Sequence, residues 1–232
     1  MNFLLDGIAE ALTRIISLDR DLLIVLATTL RVSFSSTIIA SILSLPLGFL
    51  LASRTFPGKR ILLSLLKTAL AFPTVVVALL VYAFITRNGP LGELNLLFTP
   101  AAIVIGQVVL VTPLVTALVY GALHDNVLTI HEEAVLLGAS PIRAFYKTLV
   151  ETRVGITTAL MTGFARVVSE IGVSLILGGN IRGLTRTMTT AIALESGQGN
   201  FPDAIALGIL LLLLVLLVNV GIQLSGGQTD AV

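Results

Sequence analysis

HEEAVLLGASPIRAF, residues 131–145, interrupts a chain otherwise made of apolar runs long enough to cross a membrane. It forms the centre of a polar island, His124 to Arg153, that carries both histidines and seven charged residues. Gly138 permits a backbone turn closed to other residues. Ser140 can cap the helix that Pro141 begins at its first turn, and Ile142 and Phe145, at i and i+3, then share one face. The pattern predicts an amphipathic helix, a glycine break and a second short helix. An ordinary loop needs none of these, so the island is expected to dock against something.

Outward from the island, composition sets the class. With 56% hydrophobic and 12% charged residues, the chain has too little polar surface to coat a soluble globule of 232 residues. It reads as an all-α integral membrane protein. A net charge of +1 with scattered arginines leaves no basic field for nucleic acid. The absence of cysteine excludes disulfides, thiolate metal sites and cysteine catalysis. Acids at Asp6 and Glu10, with no basic run before them, are unlike a cleaved signal peptide.

A bilayer core of roughly 30 Å needs about 20 apolar helical residues, and five segments qualify: about 22–51, 61–85, 99–123, 155–177 and 202–224. Residues 1–21 suit a short external helix lying on the membrane surface. Residues 22–224 then form one transmembrane domain, with the island as loop 124–154 and residues 225–232 as a tail. Pro73 and Pro113 are expected to kink the second and third spans. With the island in the cytoplasm, Lys and Arg count six inside (Arg54, Lys59, Arg60, Arg143, Lys147, Arg153) and five outside (Arg14, Arg20, Arg87, Arg182, Arg186). The three basic residues between Arg54 and Arg60 favour that side.

The island resembles the cytoplasmic coupling loop of ABC-importer permeases, whose pattern is Glu-Ala-Ala, three residues, Gly, nine residues, Ile, one residue, Leu-Pro. Glu132, Ala134 and Gly138 fall on pattern positions and Ala139, Ser140 and Pro141 continue a family-like run. Glu133, Thr148, Val150 and Glu151 depart from it. In that family the equivalent helix sits in a groove on a separate ATPase, which is what the resemblance implies for Ala139 to Phe145. A second match runs from Gly163-Phe164-Ala165-Arg166 and Glu170-Ile171-Gly172 to Gly178-Gly179-Asn180 and on through Arg182 and Thr187 to Glu195. It looks like the fourth span and external loop of permeases of the molybdate, sulfate and tungstate group, most like the tungstate type.

The residues have a reading of their own. Arg166 and Glu170 stand four apart within a span, where charge is costly, so the pair either lines a pathway or ties two spans together. Gly155, Ala159 and Gly163 form a small-residue strip suited to helix packing, as do Ser36, Ala40, Ser44 and Gly48. Gly178-Gly179-Asn180 reads as a helix stop. Thr185 is expected to cap a short helix from Arg186 towards Leu194. Arg182, Arg186 and the hydroxyls of Thr187, Thr189 and Thr190 then either meet a tetrahedral oxyanion or shape an external gate. His124, Asp125 and His131 are too few ligands for a metal site.

No phosphate-binding loop or nucleophile elbow is present, so the chain is not expected to be an enzyme. The resemblance implies a type I importer fold: a homodimer, two ABC ATPase subunits that hold ATP and Mg, and an extracytoplasmic oxyanion-binding protein. It also implies the inner membrane of a prokaryote, with the N-terminus outside and the C-terminus in the cytoplasm. Rival expectations are an importer for another small solute, such as an amino acid, and a self-contained secondary transporter using Arg166 and Glu170 as a relay.

Overall fold

A computed structural model of the chain describes residues 3–17, 20–124 and 133–225, and among these it contains helices and no strand. In chain order they are α1 (Phe3–Ile16), α2 (Arg20–Ser53), α3 (Lys59–Ala69), α4 (Thr74–Ile85), a 3-10 turn at Gly92–Leu94, α5 (Pro100–His124), α6 (Pro141–Glu151), α7 (Arg153–Val168), α8 (Gly172–Gly178), α9 (Met188–Gly197) and α10 (Phe201–Ser225). Three helices, α2, α5 and α10, are long and apolar enough to cross a membrane alone. Five spans result if α3 with α4, and α7 with α8, each count as one.

The stretches expected as continuous second and fourth spans are therefore each broken, by 103° between α3 and α4 and by 55° between α7 and α8. Pro73 explains the first break, because it lacks an N–H and pushes Phe72 out of the helical region. Its own backbone is extended, with ψ 125°, and α4 starts at the next residue. At the second break no proline intervenes. The Glu170 carboxylate instead accepts the Val173 N–H at 3.2 Å, so a side chain enters the backbone ladder and restarts it. Pro113, also expected to bend its span, lies inside an unbroken α5.

Packing turns on small residues, as their spacing predicts. Ser36, Ala40 and Ser44 are buried, and a β-carbon on Gly48 would lie 2.6 Å from a Val119 methyl, so α2 lies closely along α5. On α7, Ala159 is buried and a β-carbon on Gly163 would lie 2.5 Å from Val115 of α5. Such close approach replaces the hydrophobic drive that lipid does not supply between helices. Two further cores join α4 to α8, through Val77, Val81, Val173 and Leu177, and the start of α2 to α9 and α10, through Leu22, Met188 and Leu207. α1 packs on α10, with Gly7 facing Ile205 and the Pro202 carbonyl. The outward faces of α2, α4 and α10 are largely apolar, including Ile38, Ile42, Leu79, Leu80, Leu212 and Leu216, with Arg31 an exposed exception on α2.

Candidate coupling and translocation sites

Residues 133–136 are helical, and the chain then turns at Gly138 with φ 84°, a region favouring glycine. Ser140 stands at the cap position before Pro141, as predicted, but its hydroxyl makes no cap bond. α6 runs on to Glu151, beyond the segment 139–145 suggested by resemblance. Its inner face is Ala144 and Thr148, both buried, and the Thr148 hydroxyl donates to the Ala144 carbonyl at 2.9 Å. Phe145 meets Phe49 of α2 edge to face, with centroids 4.7 Å apart. It therefore anchors α6 to a span rather than sharing a free face with Ile142. Ile142, Tyr146, Leu136 and Leu137 are 76%, 69%, 85% and 89% exposed.

Of the other island residues, Ala134 is buried, Ala139 half-buried and Glu133 exposed, while Glu132 and His131 lie outside the described residues. His124 stacks on Tyr120 with ring centroids 4.9 Å apart. Near the end of α6, Lys147 pairs with Glu151. The hydrogen bond and charge of that ammonium hold the carboxyl below the usual glutamate range, at an exposed position where the pair is screened.

Arg166 and Glu170 do meet, with Nη1 2.8 Å from Oε2. They are not on one continuous helix: α7 ends at Val168, and Glu170 lies in the break. Glu170 is buried while the Arg166 side chain keeps 37% exposure. The other Glu170 oxygen holds the start of α8, and its backbone carbonyl accepts from the hydroxyls of Ser174 at 3.2 Å and Thr189 at 3.0 Å. One residue thus ties α7, α8 and α9 together. Arg166 also lines a cleft of about 430 Å³ with Ala69, Leu70, Leu110, Leu114, Thr162 and Ser169.

The loop after α8 starts as predicted: α8 stops at Gly179 with φ 70°, and Asn180 follows with φ 52°. Thr185, expected to cap the next helix, does not. Its hydroxyl closes the turn instead, accepting from the Ile181 N–H at 3.0 Å and donating to the Gly178 carbonyl at 2.5 Å. The cap is Thr187, paired with Thr190 in a capping box at the head of α9. The Met188 N–H is taken by the Thr29 hydroxyl of α2 at 2.9 Å. Thr185, Thr187, Thr189 and Thr190 are all buried. Arg186 donates to the Asn180 side-chain oxygen at 3.2 Å, and Arg182 pairs with Asp21 of α2. The hydroxyls expected to face an oxyanion are thus engaged within the chain, and the loop is a fastened corner between α2, α8 and α9.

Two features escaped sequence reasoning. Gln107, buried in α5, accepts from Ser36 of α2 at 2.8 Å and donates to the Val167 carbonyl of α7 at 3.4 Å. A lone glutamine in an apolar span was the available signal. The second is a polar face on α7: Thr158, Thr162 and Ser169 are exposed in line with Arg166. Its four-residue spacing is visible in the sequence beside the small-residue strip one position away.

The arrangement has known counterparts. The chain is 34% identical over 219 residues to a tungstate uptake system permease protein of Peptoclostridium acidaminophilum, covering 94% of this chain and 96% of that one. It is 38% identical to a probable anion ABC transporter permease protein of Haloferax volcanii, over 83% of this chain and 85% of the relative. A tungstate uptake system permease protein of Campylobacter jejuni is 37% identical over 94% and 92%. Residues 44–226 match the family described as the binding-protein-dependent transport system inner membrane component. Spanning helices, the turn at Gly138 and a family match over most of the sequence lead to one conclusion: the chain belongs to that family of inner membrane transport components.

Proposed function

We propose that this chain is the permease subunit of an ATP-driven importer for tungstate or a closely related oxyanion such as molybdate or sulfate. Its near full-length similarity to permeases named for tungstate uptake supports the substrate class. The observation that carries the coupling role is the exposed apolar group made by Ile142 and Tyr146 of α6 with Leu136 and Leu137 just before the Gly138 turn, α6 being fastened to α2 through Phe145 and Phe49. Apolar side chains on a polar loop, held against a span at one edge, are suited to receive a force from a partner and pass it to the membrane.

In this reading each bent pair crosses the bilayer once, giving five spans, the N-terminus outside and the island in the cytoplasm. Two copies enclose the route, two ATPase subunits holding ATP and Mg grip the islands, and an extracytoplasmic binding protein delivers the anion. Nucleotide-driven closure moves α6, and α2 follows through the Phe49 contact. Arg166 and Glu170 belong to the pathway, while Asn180, Arg182, Thr185, Arg186 and Thr187 form the outer gate. The test is reconstitution with the ATPase and binding-protein partners in proteoliposomes. ATP hydrolysis should rise with tungstate, molybdate or sulfate; no rise with any of them overturns the substrate, and failure to bind an ATPase overturns the importer.

A further inference from the structure

We propose that the exposed polar face of α7, Thr158, Thr162, Arg166 and Ser169, lines a water-filled passage for the divalent oxyanion, with Arg166 as its cationic waypoint. The proposal rests on the importer reading and adds where the anion travels. Its first support is contrast. The outward faces of α4 and α10 are apolar, as lipid requires, whereas α7 and its cap turn the hydroxyls of Thr158, Thr162 and Ser169 and the part-exposed Arg166 guanidinium outward within a stretch apolar enough to be part of a span. The three hydroxyls each donate to a carbonyl of the helix, Thr158 to Val154, Thr162 to Thr158 and Ser169 to Arg166, so the group that is costly in hydrocarbon is the guanidinium, and water or protein covers it.

The second support is the backbone. The break between α3 and α4 and the break between α7 and α8 lie at one place: a β-carbon on Gly172 would sit 3.0 Å from the Thr74 hydroxyl. The Arg166 cleft opens there, between Ala69 and Leu70 at the end of α3 and Ser169 at the end of α7. Its floor includes Leu110 and Leu114, near the middle of the 25-residue α5, which sets the cleft near mid-membrane depth. Irregular backbone at that depth is tolerated where protein buries it or where it borders a water-filled cavity. Here Leu70, Phe72 and Ile171 of the two breaks stay exposed. The cleft, about 430 Å³ and open to its surroundings, has room for an anion beside the polar groups of Thr162, Arg166 and Ser169; its other lining residues are apolar.

The third support is charge. Glu170 takes one N–H of the Arg166 guanidinium, which carries five. The pair has no net charge, yet the buried carboxylate lies behind the partly exposed cation. A passing dianion therefore meets donors first, in a field already half cancelled. Attraction of that kind draws the anion in without holding it, as fast transport needs.

The chain has no cysteine, so single substitutions give clean labelling sites. Thr158→Cys, Thr162→Cys and Ser169→Cys are placed singly in the reconstituted complex, with Leu212→Cys and Leu216→Cys on α10 as lipid-facing controls. They are treated with anionic sulfonatoethyl and cationic trimethylammonioethyl methanethiosulfonates, with and without ATP. The α7 positions should react and the α10 positions should not, the anionic reagent should outpace the cationic one at Thr162→Cys, and tungstate should slow it. Adding Arg166→Gln should lower the anionic rate roughly ten- to a hundredfold, the range carried by a charge-assisted hydrogen bond. The paired change Arg166→Met with Glu170→Gln keeps an acceptor for the Val173 N–H while removing both charges, and should still abolish the anionic preference.

Two results overturn the proposal: no labelling on α7 in either nucleotide state, or an anionic preference that survives the paired change. If the cysteine-free parent shows no oxyanion-stimulated hydrolysis, the importer reading fails. If the parent works and the α7 pattern is absent, the passage alone fails.

Discussion

At the scale of single residues, Glu170 has the widest reach in the described chain. Its carboxylate joins Arg166 to the head of α8, and its carbonyl receives hydroxyls from α8 and α9. Glu170→Ala leaves the Val173 N–H and the guanidinium without that acceptor, and should lower stability by about 2–3 kcal/mol, less than a fully buried pair because Arg166 is part solvated. Glu170→Gln keeps an acceptor for Val173 and should lose about half as much. Thermal unfolding of the purified chain in detergent reads the difference; equal midpoints for the two variants would show that the Val173 bond contributes nothing. At Gly138, where φ is 84° and no atom lies within 4 Å of a built β-carbon, Gly138→Ala should cost about 1–2 kcal/mol through backbone conformation alone. The island turn would loosen and ATPase-coupled uptake would fall while the chain still inserts, as transport and membrane-fraction assays in parallel would reveal.

At the scale of elements, length and apolarity made α2, α5 and α10 legible, because each is one long run near 22–51, 99–123 or 202–224. The stop at Gly179 and Asn180 was legible from residue type. The breaks were not. Pro73 marks the first, but its 103° angle depends on what α3 and α4 pack against. An Arg–Glu pair four apart looks the same in a continuous helix as across a gap, so Arg166 and Glu170 gave no sign that the carboxylate ends one helix and starts another. The choice of Thr187 over Thr185 as cap was equally hidden: both hydroxyls suit the role, and a turn closing on Ile181 claims the earlier one. On α6 the distinction is between faces. Ile142 is 76% exposed, so Ile142→Asp should reduce ATPase copurification at least tenfold, as loss of one apolar anchor of a few kcal/mol would. The same variant should insert and unfold like the parent; an unchanged yield of ATPase would remove α6 from the contact.

At the scale of the whole molecule, the polar face of α7 and the cleft beside it are left open by one copy of the chain. In the proposed importer a second copy, related by a two-fold axis as most homo-oligomers are, would close that route. Native mass spectrometry of the assembled complex should give two 24.4 kDa chains per particle; a particle with one chain would contradict the shared route. The packing of α1 on α10 bears on how such a molecule is made. Gly7 faces Ile205 and Pro202, so α1 settles against a helix translated long after it. At about 5–20 residues per second, roughly 10–40 s of synthesis separate the two. During that interval the face of α1 around Gly7 has only lipid headgroups or the insertion machinery to rest against. Biogenesis thus leaves α1 waiting for a neighbour that the ribosome has yet to make.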